Sequence, residues 1–331
     1  MKNFESYKKQ FSNKAIKNGF SQENINRCLL YSQSLVEKKL PIIYNSYHLA
    51  SLVGYKHSYL TRSIISTYFF YRRFSIKKRN GNNREISEPL PSLKEIQYFI
   101  LKEILYKIPV SKFCKSYIPK KDFREYLKFH VNEKFVLTLD IENFFPSLKY
   151  NYILDYFTSL GYAKDVSFFL ANLTTYSDKK PEKNKKNEIK PKERFLPQGA
   201  PTSPYLSNLI LKQFDEEIGA ICSEKNIKYT RYADDMAFSG EELDKSLIES
   251  IINDKLSRYG LTLNQNKTRL MSRNERQIIS GVVVNKKLQI SKKERNKIRN
   301  AIYYINKYTL EDHLQKIGEE RKNYLSHLKG R

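Results

Sequence analysis

The chain has 331 residues, 40% hydrophobic and 13% aromatic, and this composition predicts a folded protein of about two or three subdomains rather than a disordered one. Its 60 Lys and Arg against 35 Asp and Glu give a net charge of +25, which indicates a polyanionic partner such as nucleic acid. Three widely spaced cysteines argue against a disulfide framework or a zinc cluster, and no window approaches the roughly 18 apolar residues of a membrane span. We expect a soluble, cytoplasmic protein with no membrane partner. A lysine-rich surface encoded by an AT-rich genome is an alternative explanation of the net charge.

The N-terminal part of the chain is predicted to be helical. Residues 4–37 alternate charged and apolar positions at helical spacing, and Ser21 has the character of an N-cap. Two short amphipathic helices, at 47–53 and 58–66, are predicted on either side of Gly54.

A β-hairpin is predicted over residues 71–86, because alternating flanks surround an Asn-Gly turn. Its tip carries many cations, a pattern that on its own also fits a solvated loop. The apolar stripe of 93–105 predicts a helix that packs the hairpin onto the body of the protein.

Two strand patterns carry acidic residues. The apolar run 135–141 contains Asp140 near its end and predicts a buried central strand, in which an unpaired charge would be costly without a metal ion or a counter-ion. Residues 227–231 and 236–238 predict a tight hairpin with Tyr232-Ala233-Asp234-Asp235 at its tip. Adjacent carboxylates repel each other, so this pair requires a cation, and Asp140 is the third acid.

The remaining segments alternate loops with regular structure. We predict a mobile basic insertion over 177–194, then a Pro- and Gly-rich loop that ends with Ser203 as N-cap and Pro204 as the first residue of a helix. A further amphipathic helix runs from Leu243 to Leu256. The later segments are an edge strand over 261–268 that carries Lys267, a last strand over 278–284, and basic helices over 291–331.

Three carboxylates around a small volume predict a site for Mg²⁺ or Mn²⁺, because these ions prefer hard oxygen ligands. Two such ions can activate a hydroxyl and hold a leaving pyrophosphate, which indicates phosphoryl or nucleotidyl transfer. The sequence contains no H-E-x-x-H, P-loop or G-x-S-x-G motif, and we expect each of the five histidines to be structural.

Three motifs, in this order, resemble the motif series of bacterial reverse transcriptases and are most similar to those of the retron enzymes. They are Leu139-Asp140-Ile141-Glu142-Asn143-Phe144-Phe145-Pro146-Ser147, Leu196-Pro197-Gln198-Gly199-Ala200-Pro201-Thr202-Ser203-Pro204 and Tyr232-Ala233-Asp234-Asp235. The resemblance extends from about 71 to 285. It implies an α+β right-hand polymerase with a helical N-terminal extension (1–45), fingers (46–134), a palm with an antiparallel sheet (135–285) and a small helical thumb, short or truncated (286–331).

The resemblance also implies roles for individual residues. Asp140, Asp234 and Asp235, with the carbonyl of Ile141, would bind two Mg²⁺ ions, for which Mn²⁺ could substitute. Six residues are implied to contact the incoming dNTP. Phe145 would lie beneath its sugar, Gln198 and Gly199 would lie beside it and the template, and Lys78 and Arg84 would bind its triphosphate. Lys267 would protonate the leaving pyrophosphate, and the alternative is that it is an ordinary surface lysine. The charge of the predicted hairpin and of the C-terminal helices indicates RNA binding by Arg72, Arg73, Lys77, Arg79, Lys292 and Lys293.

Two signatures of retron enzymes are altered in this chain. Of the usual Asn-Ala-x-x-His only His130 remains, in the stretch 126–130, and Val-Thr-Gly is replaced by Ile279-Ser280-Gly281. The resemblance implies copying of a structured non-coding RNA, which also supplies the priming 2′-hydroxyl, into a branched RNA–DNA product (msDNA) for antiphage defence with a separate effector protein. The alternatives are another bacterial defence or group II intron-like reverse transcriptase with different priming, and an RNA-binding scaffold whose catalysis is dispensable.

Overall fold

The computed structural model describes residues 4–77, 81, 83–180, 193–321 and 323–329. As predicted, the chain begins with helices, and the hydroxyl of Ser21 caps the second one by accepting a hydrogen bond from the backbone N–H of Asn24. Gly54 ends the third helix in the left-handed conformation (φ +75°), which glycine adopts without steric cost. The first four helices are α1 (Phe4–Lys17), α2 (Gln22–Glu37), α3 (Ser46–Val53) and α4 (His57–Ile65).

The predicted hairpin is present as β1 (Tyr71–Lys77) paired antiparallel with β2 (Asn83–Pro89). Three residues of its tip, 78–80, lie outside the described residues. The predicted helix follows as α5 (Pro91–Phe99), which continues through a π turn and a 3₁₀ turn to Lys107. Its apolar stripe is buried, as expected: Leu93, Ile96, Ile100, Leu101, Ile104 and Leu105.

A four-stranded antiparallel sheet forms the centre of the protein. Its strands are β3 (Phe135–Asp140), β4 (Lys228–Tyr232), β5 (Asp235–Gly240) and β6 (Arg269–Ser272), in the spatial order β4-β5-β3-β6. Strand β3 lies between β5 and β6, and its side chains Val136, Leu137 and Leu139, on both faces of the sheet, are all buried. This burial on both faces explains the nearly continuous apolar run in its sequence.

Helices pack against this sheet and bury most of the hydrophobic core. One large cluster of buried side chains extends from Leu35 to Leu263, so the N-terminal helices and the sheet share a core. A smaller cluster joins Tyr126 and Val136 to Ile279. The helices between the strands are α6 (Phe123–Lys128), α7 (Phe144–Ser147), α8 (Tyr150–Ser159), α9 (Lys164–Thr174), α10 (Ser203–Ile210), α11 (Lys212–Glu224) and α12 (Lys245–Ser257).

The C-terminal region is helical, as predicted, after one small hairpin. The two strands of this hairpin are β7 (Ile278–Ile279) and β8 (Val282–Val283), and the helices are α13 (Lys292–Lys307), α14 (Leu310–Ile317) and α15 (Tyr324–Lys329). In the part of the chain that the structure describes, every helix is too short or too polar to cross a membrane.

Two strand predictions were wrong. Residues 261–268 do not form an edge strand: only Leu263 bridges to Ile141, and 265–267 form a 3₁₀ turn, in keeping with the turn preference of the Asn residues at 264 and 266. The edge strand is β6, which begins one residue after the predicted segment. The predicted strand 278–284 is interrupted by a turn at Ser280 and Gly281, whose φ values of +46° and +88° do not fit an extended chain.

One further boundary differs from the prediction, and one predicted segment lies largely outside the described residues. Helix α10 begins at Ser203, one residue early, so that Thr202 takes the N-cap position and no side-chain capping bond forms there. Residues 181–192 of the predicted insertion lie outside the described residues. The flanks of that segment are joined, because Tyr176 and Phe195 exchange two backbone hydrogen bonds of 2.9 and 3.0 Å.

His130 is a structural histidine, as expected. Its ring is buried between two strands of the sheet, with Nδ1 2.8 Å from the hydroxyl of Ser239 and Nε2 2.6 Å from that of Thr230. Burial lowers the pKa of the imidazole to about 3. The folded protein therefore holds this ring neutral at every pH above that value.

We predict that His130 makes the protein lose stability as the pH falls from 6.5 towards 3. In the unfolded chain the imidazole binds a proton near pH 6.5, so only the unfolded state gains this proton in that window. Between pH 7 and pH 5 the free energy of unfolding of the wild type should fall by about 2 kcal/mol more than that of His130→Gln. Urea denaturation at the two pH values measures this difference, and parallel pH profiles would contradict the prediction.

Candidate active site

The acidic tetrapeptide lies where predicted, at the turn between β4 and β5. Ala233 has a φ of +58°, and this left-handed residue lets the chain reverse within two residues. The carbonyl of Asp234 accepts a hydrogen bond of 3.0 Å from the backbone N–H of Ile141. This bond fastens the turn to the end of β3 and brings the two acids beside Asp140.

The register of the sheet places Asp140 directly opposite Asp235. Burial raises the pKa values of Asp234 and Asp235, and repulsion from Asp140 raises both further. The hydroxyl of Ser280 donates a 2.7 Å hydrogen bond to Oδ2 of Asp235 and partly offsets this effect. The three carboxylates together form a site that favours a cation.

Lys267 supplies one such cation. Its Nζ lies 2.8 Å from each oxygen of Asp140, although its side chain remains 57% exposed. Burial disfavours the charged ammonium, but the hydrogen bond and the charge of Asp140 outweigh this and raise its pKa. Lys267 therefore lies in the site as a protonated counter-ion.

The donor atoms suit a divalent metal ion, because they are carboxylate oxygens with more negative charge than one lysine can balance. Among the described residues, however, no three acidic, histidine or cysteine side chains already form a complete metal cage. Both oxygens of Asp140 are bonded to the ammonium of Lys267. A metal ion fits this site if Lys267 moves away from Asp140.

A cavity of about 450 Å³ opens beside the acids. It brings together most of the residues predicted to contact a nucleotide, namely Arg84, Phe145, Gln198 and Lys267, with Asp140, Ile141 and Asp234. Gln198 is held by its own backbone, since its carbonyl accepts a 2.8 Å hydrogen bond from the N–H of Ser87 on β2. The cavity thus lies between the first hairpin and the central sheet.

Gly199 contacts the first hairpin rather than lining this cavity. Its φ is +125°, and a Cβ at this position would lie 2.8 Å from Cγ2 of Ile86 and 3.0 Å from the carbonyl oxygen of Ser87. Only glycine fits this close approach without displacing β2.

Sequence reasoning missed Tyr117, Asn264 and Asn266, which also line the cavity, and it named the lining residues Glu142 and Asn143 only as part of the first motif. Tyr117 follows no periodic pattern in the sequence. The two asparagines belong to the segment around the 3₁₀ turn that was mistaken for a strand, and their clustering before Lys267 was the available signal. Burial raises the pKa of the Tyr117 hydroxyl to about 12, and the charge of Asp234 adds to this effect.

A second cavity, of about 220 Å³, lies on the other side of the acids. Asp140 and Lys267 border both cavities, and Asp235, Arg269 and Ser280 complete the wall of this one. Sequence reasoning named Ser280 only as part of an altered signature, whereas the structure places its hydroxyl on Asp235.

Of the residues predicted to bind RNA, those that the structure describes do not line the larger cavity. Arg72, Arg73 and Lys77 are exposed on β1, and Lys292 and Lys293 are exposed at the start of α13. The guanidinium of Arg73 stacks on the ring of Tyr68, 3.9 Å from its centroid. Lys78 and Arg79, at the hairpin tip, lie outside the described residues.

An antiparallel sheet that brings three carboxylates together at one end, with Asp140 and Asp234 lining a nucleotide-sized cavity, is the arrangement of the palm of a right-hand polymerase. The family model described as "Reverse transcriptase (RNA-dependent DNA polymerase)" matches residues 76–318. The chain therefore belongs to the reverse transcriptase family, whose members generally use divalent metal ions, and the predicted α+β fold class is confirmed.

Its curated relatives are retron reverse transcriptases, which confirms the predicted retron type. The Retron Mx65 reverse transcriptase of Myxococcus xanthus is 31% identical over 236 residues, covering 70% of this chain and 55% of that one. The Retron Ec86 reverse transcriptase of Escherichia coli is 28% identical over 270 residues, covering 80% of this chain and 79% of that one. The chain thus spans only about half the length of the Mx65 enzyme.

Among solved structures, a telomerase from Candida tropicalis in complex with a fragment of telomeric RNA has a TM-score of 0.45 and 13% identity. The match covers 71% of this chain and 49% of that one.

We predict that Lys267→Met strengthens metal binding by the protein without nucleic acid. Removal of the ammonium leaves Asp140 without its counter-ion, so the Kd for Mn²⁺ should fall by about tenfold. Titration followed by electron paramagnetic resonance measures this. Lys255→Met, which breaks an ion pair with Glu217 away from the cavity, is the control. Equal Mn²⁺ affinity in the wild type and Lys267→Met would show that Lys267 does not compete for this site.

We predict that Gly199→Ala displaces β2 and weakens dNTP binding. Because the new methyl group meets Ile86 at 2.8 Å, Arg84 on the same strand should move, and the KM for dNTP should rise by about fivefold or more. Steady-state primer extension measures this. Gly19→Ala is the control, since Gly19 also has a positive φ (+76°) but no atom lies within 4 Å of the place that its Cβ would occupy. A KM unchanged in Gly199→Ala would contradict the prediction.

Proposed function

We propose that this chain copies an RNA template into DNA with dNTPs, using two Mg²⁺ ions for which Mn²⁺ can substitute. The observation that carries the proposal is the convergence of Asp140, Asp234 and Asp235 at one end of the sheet, beside the cavity that Arg84, Phe145 and Gln198 line. The three carboxylates, with the carbonyl of Ile141, would hold the ions. When bound, the ions supply activation of the primer hydroxyl and charge stabilisation at the leaving pyrophosphate.

The other cavity residues divide the remaining tasks. Arg84 is an exposed cation on β2 that would bind triphosphate oxygens, a role in which Lys78 would join it. The ring of Phe145 would lie beneath the sugar and exclude a 2′-hydroxyl, and Gln198 would contact the nucleotide and template. Lys267, which the contact with Asp140 keeps protonated, would leave Asp140 and then donate a proton from its ammonium to pyrophosphate.

We propose that the template is a structured non-coding RNA. Retron reverse transcriptases are the relatives that support this, and the net charge of +25 supplies the attraction to phosphates. The exposed cations proposed to bind the RNA are Arg72, Arg73, Lys77, Lys292 and Lys293. Arg79, which lies outside the described residues, is proposed to bind the RNA as well. The product would be a branched RNA–DNA molecule made in the cytoplasm for antiphage defence, together with a separate effector protein.

The proposed division of labour follows the subdomains expected from the sequence. Residues 46–134 would act as fingers over the nucleotide, 135–285 as the catalytic palm and 286–331 as a short thumb on the nucleic acid. Residues 1–45 would be an accessory helical extension.

We predict that replacing both Asp234 and Asp235 by Ala abolishes DNA synthesis on an RNA template, by about 1,000-fold or more, because the site loses two of its three carboxylates. RNA affinity should be retained, since cations elsewhere dominate it. Primer extension and filter binding measure the two quantities. Glu241→Ala with Glu242→Ala, an adjacent acidic pair at the other end of β5, is the matched control.

DNA synthesis that persists without Asp234 and Asp235 would place catalysis elsewhere. If phage resistance persists in the absence of synthesis, the RNA-binding scaffold becomes the favoured function. Sequencing of the nucleic acid that co-purifies with the wild type tests the finer proposal. A 2′–5′ branched species supports retron synthesis, whereas unbranched cDNA indicates a defence or intron-like enzyme with different priming.

A further inference from the structure

A fully buried ion pair lies next to the turn 232–235 between β4 and β5, which is the catalytic turn of the proposed function. Arg231 on β4 and Asp215 on α11 are both 0% exposed, and Nε and Nη2 of the arginine donate to the two carboxylate oxygens at 2.8 and 2.6 Å. The hydroxyl of Tyr229 donates to the same carboxylate at 2.9 Å. Burial disfavours the charged guanidinium, but the charge of Asp215 outweighs this and raises the pKa of Arg231, so the guanidinium stays protonated.

The third nitrogen of Arg231 reaches the catalytic turn. Nη1 donates to the carbonyl of Ala233 at 2.9 Å and to Oδ1 of Asn208 at 3.2 Å. Ala233, with its φ of +58°, is in a conformation that is sterically disfavoured for any residue with a side chain, and it directly precedes Asp234. Its N–H donates to the hydroxyl of Ser116 at 2.9 Å. Buried side chains therefore hold both backbone groups of this strained residue.

Ser116 belongs to the same buried network. Nδ2 of Asn208 donates to the Ser116 carbonyl at 2.9 Å, and the Ser116 hydroxyl donates to Oδ1 of Asn208 at 3.3 Å. The preceding residues, 113–115, pair with the backbone of Arg231 through bonds of 2.9 and 2.8 Å. The following residue, Tyr117, lines the nucleotide cavity. One network thus connects the acidic turn to a wall of that cavity.

We propose that Arg231 is a positioning residue for the polymerase reaction: by holding the carbonyl of Ala233, with Ser116 holding the N–H, it fixes Asp234 and Asp235 relative to Asp140. The inference rests on the proposed function and names the residues that keep its carboxylates in place. An ion pair that served only to join β4 to α11 would not need a donor on Ala233, and apolar side chains can join such elements equally well. Ligands that are held loosely bind metal ions less well.

The double variant Arg231→Met with Asp215→Leu tests this proposal, because it removes both charges together and leaves no unpaired buried ion. We expect it to fold and to bind RNA as the wild type does. In the absence of nucleic acid its Kd for Mn²⁺ should rise by about fivefold or more. Its kcat for primer extension should fall by about tenfold or more, with the KM for dNTP within about threefold of the wild type.

Lys228→Met with Glu133→Leu is the matched control, since it removes a 2.6 Å ion pair at the other end of β4. It should leave both the Mn²⁺ affinity and kcat within about twofold of the wild type. If the Arg231 and Asp215 double variant gives the same values as this control, the pair has only a structural role and the proposal is overturned.

If the double variant does not fold, Ser116→Ala carries the test. This smaller change removes the hydroxyl that accepts the hydrogen bond from the N–H of Ala233. It should weaken Mn²⁺ binding and lower kcat, as in the double variant. Wild-type Mn²⁺ affinity and kcat in Ser116→Ala would overturn the proposal.

The Mn²⁺ titration separates this proposal from the proposed function. If no template supports DNA synthesis by the wild type, but the double variant binds Mn²⁺ more weakly than the wild type, the proposed function is refuted and the positioning role of Arg231 is supported. If the wild type copies RNA and the double variant matches it in Mn²⁺ affinity and kcat, the positioning role of Arg231 is refuted and the proposed function is supported.

Discussion

Mutual repulsion among Asp140, Asp234 and Asp235 is the constraint on which the rest of the structure depends. Three carboxylates that share a partly buried volume oppose one another's ionisation, which is why the pKa values of Asp234 and Asp235 are raised beyond the effect of burial. A protein without a use for this arrangement would be more stable with fewer acids here. The neighbourhood instead supplies partial compensation through the ammonium of Lys267 and the hydroxyl of Ser280. The remaining negative charge is the reason why we propose this site as the receptor for divalent cations.

Backbone structure, rather than side-chain attraction, holds the acids together against this repulsion. The register of β3 and β5 places Asp140 opposite Asp235. Asp234 is fixed because its carbonyl accepts a hydrogen bond from the N–H of Ile141, directly after the end of β3. The strained residue Ala233 adds a cost of about 1–2 kcal/mol for its left-handed conformation. Such strain persists only when the surroundings over-determine it, and the bonds to Arg231 and Ser116 provide that support. The site is therefore stabilised by the fold around it, and its own charges destabilise it.

Local patterns were sufficient to predict the central strand that ends at Asp140 and the acidic hairpin, because each identifies its own structure within a few residues. The fold class was predicted from the resemblance of three motifs to those of bacterial reverse transcriptases. Lys267 could be placed only by the family resemblance, since the pattern around it predicted a strand where the chain forms a 3₁₀ turn. Tyr117 reaches the cavity through tertiary packing alone. Arg231 and Asp215 were beyond sequence reasoning, because charged residues are almost never fully buried unless paired, and these two partners lie 16 positions apart on different elements.

The distribution of charge separates the proposed nucleic-acid surface from the proposed catalytic site. The chain carries a net charge of +25, yet the three-carboxylate site is locally acidic and is bordered by Arg84 and Lys267. Attraction between the basic surface and phosphates acts over distances at which salt screens it strongly, with a Debye length of about 8 Å at physiological ionic strength. The contact between Lys267 and Asp140 is short, at 2.8 Å, and partly buried, so salt screens it much less. Under the proposed function, affinity for RNA and the chemistry of the acidic site would therefore depend on different parts of the molecule and respond differently to ionic strength.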